Sequence, residues 1–187
     1  MSDLDRNTQP LPTYTTDDLR AFPRDGCRYE LLDGILLVTP APGSAHQFVL
    51  SRLLIALGNY LGEDGPAVVV GPGEIEIAPK TLLDPDLLVY PSRYGPGTRW
   101  TAMRDWWLAV EVFSPGSRRY DRDYKRDVYL ALGVAGVWLV DLEERGILVS
   151  NPDGPRDVRY TGRLTWSPAA MPAPLELDLA RLFRGLP

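Results

Sequence analysis

Two carboxylates stand where apolar segments would bury them. Glu111 interrupts Leu108-Ala109-Val110-Glu111-Val112-Phe113, and Asp86 opens Asp86-Leu87-Leu88-Val89 behind Asp84-Pro85. A buried carboxylate is costly unless a cation or hydrogen bonds compensate it, so each acid calls for a partner. An arginine would suffice for either one. Two acids at matching heights on adjacent strands, about 4.8 Å apart, would instead be able to share a divalent cation. Oxygen-only ligands suit Mg2+ or Mn2+ better than zinc. Asp84 is the weaker candidate, because it can equally cap the turn before the strand.

Lys125 is the third residue of this group. Lys80 and Lys125 are the only lysines in a chain whose other basic residues are arginine. An amine can hold a charge beside an attacking water and its pKa moves on burial, whereas a guanidinium stays protonated. A surface pair with Asp121, one helical turn earlier, would explain Lys125 without chemistry.

The elements that must position these residues follow from periodicity. Thr15 or Thr16 caps a short helix through Phe22. Tyr29–Leu32 and Ile35–Val38 flank Asp33-Gly34, a hairpin signal because the turn requires positive φ angles. Ser44 caps a helix to about Leu61, with Val49, Leu50, Leu53, Leu54, Leu57 and Leu61 as its apolar stripe and Gly62 as its end. Short strands are expected over 68–70, 75–78 and 86–90. A strand buried on both faces is expected over 106–113, which puts Glu111 on the face of Ala109 and Phe113. A helix from about Arg119 to Leu132 carries Lys125 and Tyr129, and Tyr129 would support the lysine or pack in the core. Strands over 137–141 and 147–150, edge strands over 158–160 and 164–166, and a helical turn over 179–183 complete an α/β or α+β arrangement around one central sheet.

The chain has 187 residues, of which 44% are hydrophobic. These values suit one domain over residues 14–187, preceded by a flexible arm over 1–13. No apolar run is long enough for a membrane span and no signal-peptide core opens the chain, so a soluble cytoplasmic protein is expected. Cys27 is the sole cysteine. It excludes an intrachain disulfide and reads as a small buried hydrophobe. A net charge of −5 and a pI near 4.9 argue against a broad nucleic-acid-binding surface, leaving a local basic patch or a metal to attract phosphate.

The segments Tyr29-Glu30-Leu31-Leu32-Asp33-Gly34, His46-Gln47, Pro85-Asp86-Leu87-Leu88-Val89, Val110-Glu111-Val112-Phe113-Ser114-Pro115 and Tyr120-Asp121-Arg122-Asp123-Tyr124-Lys125 occur in this order. Tyr129 through Gly133 follows, leading into Trp138-Leu139-Val140-Asp141. Together they resemble the Uma family of endonucleases, within the restriction-endonuclease-like PD-(D/E)XK superfamily. The resemblance implies a mixed central sheet flanked by helices, with an N-terminal β-hairpin. It also implies a homodimer or higher homo-oligomer.

In the wider superfamily an acid and a lysine stand two residues apart on one strand. Phe113 occupies that lysine position here, and the family pattern moves the lysine to Lys125. The same pattern adds Glu30, as a ligand through water or an exposed strand acid. It also adds His46, which would donate to phosphate, orient Glu30 or be structural.

As a nuclease, the chain would hold Mg2+ or Mn2+ through Asp86, Glu111 and the Val112 carbonyl. Lys125 would serve the attacking water, and some of Arg118, Arg119, Arg122 and Arg126 would contact the phosphates of nucleic acid, expected to be DNA. Two other readings stay open: a non-catalytic oligomeric module that retains a relic metal site, and a hydrolase of smaller phosphate esters.

Overall fold

Residues 12–113 and 124–186 are described by the computed structural model. The expected arm therefore lies outside the described residues except for Pro12 and Thr13. So do the start of the helix expected from Arg119, the residues Arg118, Arg119 and Arg122, and the suggested Asp121 partner of Lys125.

Thr15 caps helix α1 (Thr16–Arg20) in a reciprocal capping box with Asp18. Strands β1 (Arg28–Leu32) and β2 (Ile35–Thr39) then pair antiparallel from Leu32–Ile35 back to Arg28–Thr39. Asp33 (φ 49°) and Gly34 (φ 83°) supply the two left-handed residues of the turn, as the Asp-Gly signal requires.

Helix α2 spans Ser44–Leu61 and its buried stripe is His46, Val49, Leu53, Leu57 and Leu61. Two details differ from expectation. Gly43 is the N-cap and Ser44 already lies inside the helix, with no side-chain cap. Leu54 is partly exposed, because the helix meets the sheet along one narrow stripe.

Strands β3 (Ala67–Val70), β4 (Ile75–Ile77), β5 (Thr81–Leu83), β6 (Leu87–Pro91) and β7 (Leu108–Val112) follow, with a single 3-10 turn at Trp100–Ala102 between the last two. Helix α3 is described over Arg126–Ala131, and Tyr124 and Lys125 form a wider π-type turn at its start. Strands β8 (Val137–Asp141), β9 (Gly146–Ser150), β10 (Val158–Tyr160), β11 (Arg163–Trp166) and β12 (Leu175–Asp178) lead into the short helix α4 (Leu179–Leu182).

Among the described residues the strands form three sheets, the largest being the expected central one. A six-stranded central sheet runs β10-β9-β8-β7-β6-β3, and it is mixed because β7 and β8 are parallel while the other pairs are antiparallel. The hairpin is part of a separate four-stranded sheet, β2-β1-β5-β4, and β11 pairs with β12. Both faces of the central sheet are covered, which explains its near-continuous apolar strands. On one face Leu108, Val110 and Val112 pack with the α2 stripe and with Leu177, Leu179 and Phe183. On the other, Ala109 and Phe113 pack with Tyr129, Leu130 and Trp106.

Cys27 is exposed rather than buried. It sits in the turn before β1, where no packed element covers it. No helix among the described residues is long and apolar enough to cross a membrane.

Candidate active site

Strand register brings the two acids together. Leu87 pairs with Val110 and Leu88 with Ala109 in the antiparallel β6–β7 ladder, so one step further Asp86 stands opposite Glu111. Both side chains leave on the face shared with Leu88 and Ala109. Asp86 and Glu111 are each only 2% exposed. Two glycines make room for the turn into β6: a Cβ on Gly71 would lie 2.9 Å from the Asp86 carbonyl, and one on Gly73 would lie 2.3 Å from the Leu88 Cβ.

Asp86 is held from three directions. Its Oδ2 accepts the Val112 amide at 2.8 Å and lies 2.9 Å from His46 Nε2, while its Oδ1 accepts Arg28 Nη2 at 2.8 Å. Burial opposes ionisation of Asp86. The His46 hydrogen bond, the Arg28 charge and the Val112 amide outweigh it and hold this carboxyl below the usual carboxylate range. His46 thus serves Asp86 and not Glu30. It can do so because it heads the α2 stripe and reaches the sheet from the first turn.

Glu111 accepts the Tyr129 hydroxyl at 2.6 Å, and Lys125 Nζ lies 3.2 Å from the same Oε1. Lys125 is 2.7 Å from Glu30 Oε2, so one buried ammonium bridges two sheets. Glu30 is fully buried, not an exposed strand acid, and its Oε1 accepts the Asp84 amide at 2.9 Å. Tyr129 buttresses Glu111. Arg126 is engaged elsewhere, with Asp127 at 2.9 Å and Asp157 at 2.6 Å.

Arg28 escaped sequence reasoning. It shares one face of β1 with Glu30 by simple alternation, which was the available signal. Its Nη1 donates to the Asp84 carbonyl at 3.1 Å. Burial disfavours its charge, but Asp86, Glu111 and Glu30 more than offset this and raise its pKa further.

Asp84 has the opposite fate to Asp86. Burial, with Glu30 and Glu74 nearby, raises it to about 7 despite Arg28 and Lys125. The folded chain therefore binds more protons than the unfolded chain between about pH 4 and pH 7, and Asp84 removes stability as pH rises through that window. Asp84→Asn is expected to stabilise the protein at pH 8 by on the order of 2 kcal/mol, with the gain shrinking toward pH 4. Denaturant midpoints in chelator across that range would check it, and a pH-independent gain would contradict the assignment.

Arg28, Pro40, His46, Asp86, Glu111 and Lys125 are among the residues around a cleft of about 90 Å³. No three His, Cys, Asp or Glu side chains among the described residues are grouped as a ready metal cage. The donor set nevertheless fits a hard divalent cation. Glu30, Asp86 and Glu111 outnumber Arg28 and Lys125 as buried or half-buried charges, and Mg2+ is commonly held by one or two carboxylates with water completing the shell.

The comparisons agree with this architecture. The chain is similar to a putative nuclease belonging to DUF820 from Anabaena variabilis ATCC 29413, known from a crystal structure. The TM-score is 0.75 at 18% identity, covering 90% of this chain and 97% of that one. A likeness at that identity establishes the shared, restriction-endonuclease-like fold. No curated protein matches the chain. The model of the Uma2 family, described as a putative restriction endonuclease, matches residues 16–180. The chain belongs to the Uma2 family of putative restriction endonucleases.

Proposed function

We infer that the chain is a divalent-cation-dependent endonuclease that hydrolyses phosphodiester bonds in DNA. The observation that carries this reading is the juxtaposition of Asp86, immediately before β6, with Glu111 on the neighbouring β7, and Lys125 Nζ 3.2 Å from Glu111. Asp86, Glu111 and the Val112 carbonyl are the proposed ligands of Mg2+ or Mn2+. When bound, such a cation lowers the pKa of a coordinated water and offsets charge on the scissile phosphate.

The chain's own residues do the rest. Lys125 lines the cleft and is fixed between Glu30 and Glu111, so its ammonium is pre-positioned to orient water and counter charge that develops on phosphate. Glu30 acts by holding Lys125. His46 and Tyr129 fix the rotamers of Asp86 and Glu111, as partners of metal ligands commonly do.

Titration of the purified chain with Mn2+ tests the proposal. Saturable binding is expected, and Asp86→Asn should weaken it by about 100-fold or more, the upper end of the range for groups around a metal. Assays on DNA, RNA and nucleotide esters then identify the substrate class.

A second reading is a non-catalytic module with a relic site. It is supported by both Asp86 oxygens being engaged by protein groups and by the net charge of −5. It predicts no saturable Mn2+ binding. Association into a homodimer is part of the main proposal. Phe48 and Ile55, two turns apart on α2 and 45% and 63% exposed, support it, and light scattering would measure it.

A further inference from the structure

The three groups that hold Asp86 are not equally fixed. The Val112 amide belongs to a strand buried along its whole length, and His46 is buried in the first turn of α2. The amide cannot leave the carboxylate without opening the core, and His46, although it also lines the cleft, has only a short and buried side chain to turn. Arg28 begins a strand, its side chain is 24% exposed, and it lines the cleft. It alone of the three has both a long flexible stem and a route to solvent.

Arg28 also carries a full positive charge at the oxygen a cation would need. Nη2 is 2.8 Å from Asp86 Oδ1, the contact distance of a charge-assisted hydrogen bond. A divalent cation at that oxygen would meet the guanidinium at short range, and like charges at such separations repel strongly in a partly buried cleft. The carboxylate can serve one or the other on this side.

The geometry points to Arg28 as a tethered competitor for the cation at Asp86, a side chain that must swing toward the cleft mouth before the acid can ligate metal. This rests on the cation-binding reading above. It makes cation affinity a property of Arg28 as well as of the ligands. Removing the competitor should tighten binding, whereas removing a mere support for Asp86 should loosen it.

Isothermal titration of the full chain with MnCl2 separates these cases, using wild type, Arg28→Gln, Arg28→Lys and Asp86→Asn. Arg28→Gln is expected to bind Mn2+ about tenfold more tightly than wild type, and Arg28→Lys to fall between them. Binding by Arg28→Gln alone, with none by wild type, would equally support competition.

Equal or weaker binding by Arg28→Gln, with binding still lost in Asp86→Asn, overturns the proposal and leaves the cation reading intact. Absence of saturable binding in every variant overturns both. A wild-type measurement covers the case in which Arg28→Gln does not fold. The Arg28 guanidinium NMR signal, assigned by its loss in Arg28→Lys, should shift on Mg2+ addition, and an unmoved signal also overturns the proposal.

Discussion

Glu111→Ala is expected to abolish Mg2+-dependent DNA cleavage, lowering the rate by roughly three orders of magnitude or more. On the proposed reading the loss would combine a cation ligand with the charge that positions Lys125, and removal of a single electrostatic group in a dry site commonly costs about 100- to 1,000-fold. The variant should still fold, because Lys125 keeps Glu30 at 2.7 Å. A plasmid-nicking assay on protein whose circular dichroism matches wild type gives the answer. Cleavage at the wild-type rate would remove Glu111 from the active site.

Lys125→Met should have the largest effect on stability. It removes the ammonium shared by two almost completely buried carboxylates, Glu30 and Glu111. Breaking a buried ion pair by removing one partner commonly costs about 3–5 kcal/mol. Lys125→Arg separates the structural role from the chemical one. It should recover part of the stability in urea melts while failing to restore cleavage, because a guanidinium cannot release a proton or fit the same contact. Full cleavage by Lys125→Arg would show that the residue supplies charge alone.

Much of the site was legible because strand alternation constrains side chains so tightly. One acid in an apolar run of five buried positions pointed to Glu111, and Asp86 stands just before a second buried run, that of β6. The Asp33-Gly34 turn and the α2 stripe were read from local signals that tertiary contacts reinforce.

Strands β5 and β12 went unread for a common reason. Thr81–Leu83 is three residues long, and Leu175–Asp178 is a four-residue segment that alternates acids with leucines. Their pairing depends on β1, β4 and β11, which lie far away in the chain or across a turn. Without β5, the hairpin had no visible reason to form its own sheet.

The Arg28–Asp86 pair was hidden by the same non-locality. Nothing near Arg28 in the chain announces an acid that arrives on another sheet. Likewise His46 could be placed at a helix start, but its choice of Asp86 over Glu30 depends on how α2 lies across β6.

The ammonium that bridges the central and hairpin sheets bears on the order in which the molecule assembles. Glu30, Asp86, Glu111 and Lys125 come from four segments that together span about half of the chain. Hairpin and helix formation are local and fast, whereas contacts between distant segments must first meet the entropic cost of closing long loops. The cleft should thus be completed among the last steps of folding. Recovery of cation binding after dilution from denaturant should lag recovery of helical signal, so that binding reports the finished molecule rather than its parts.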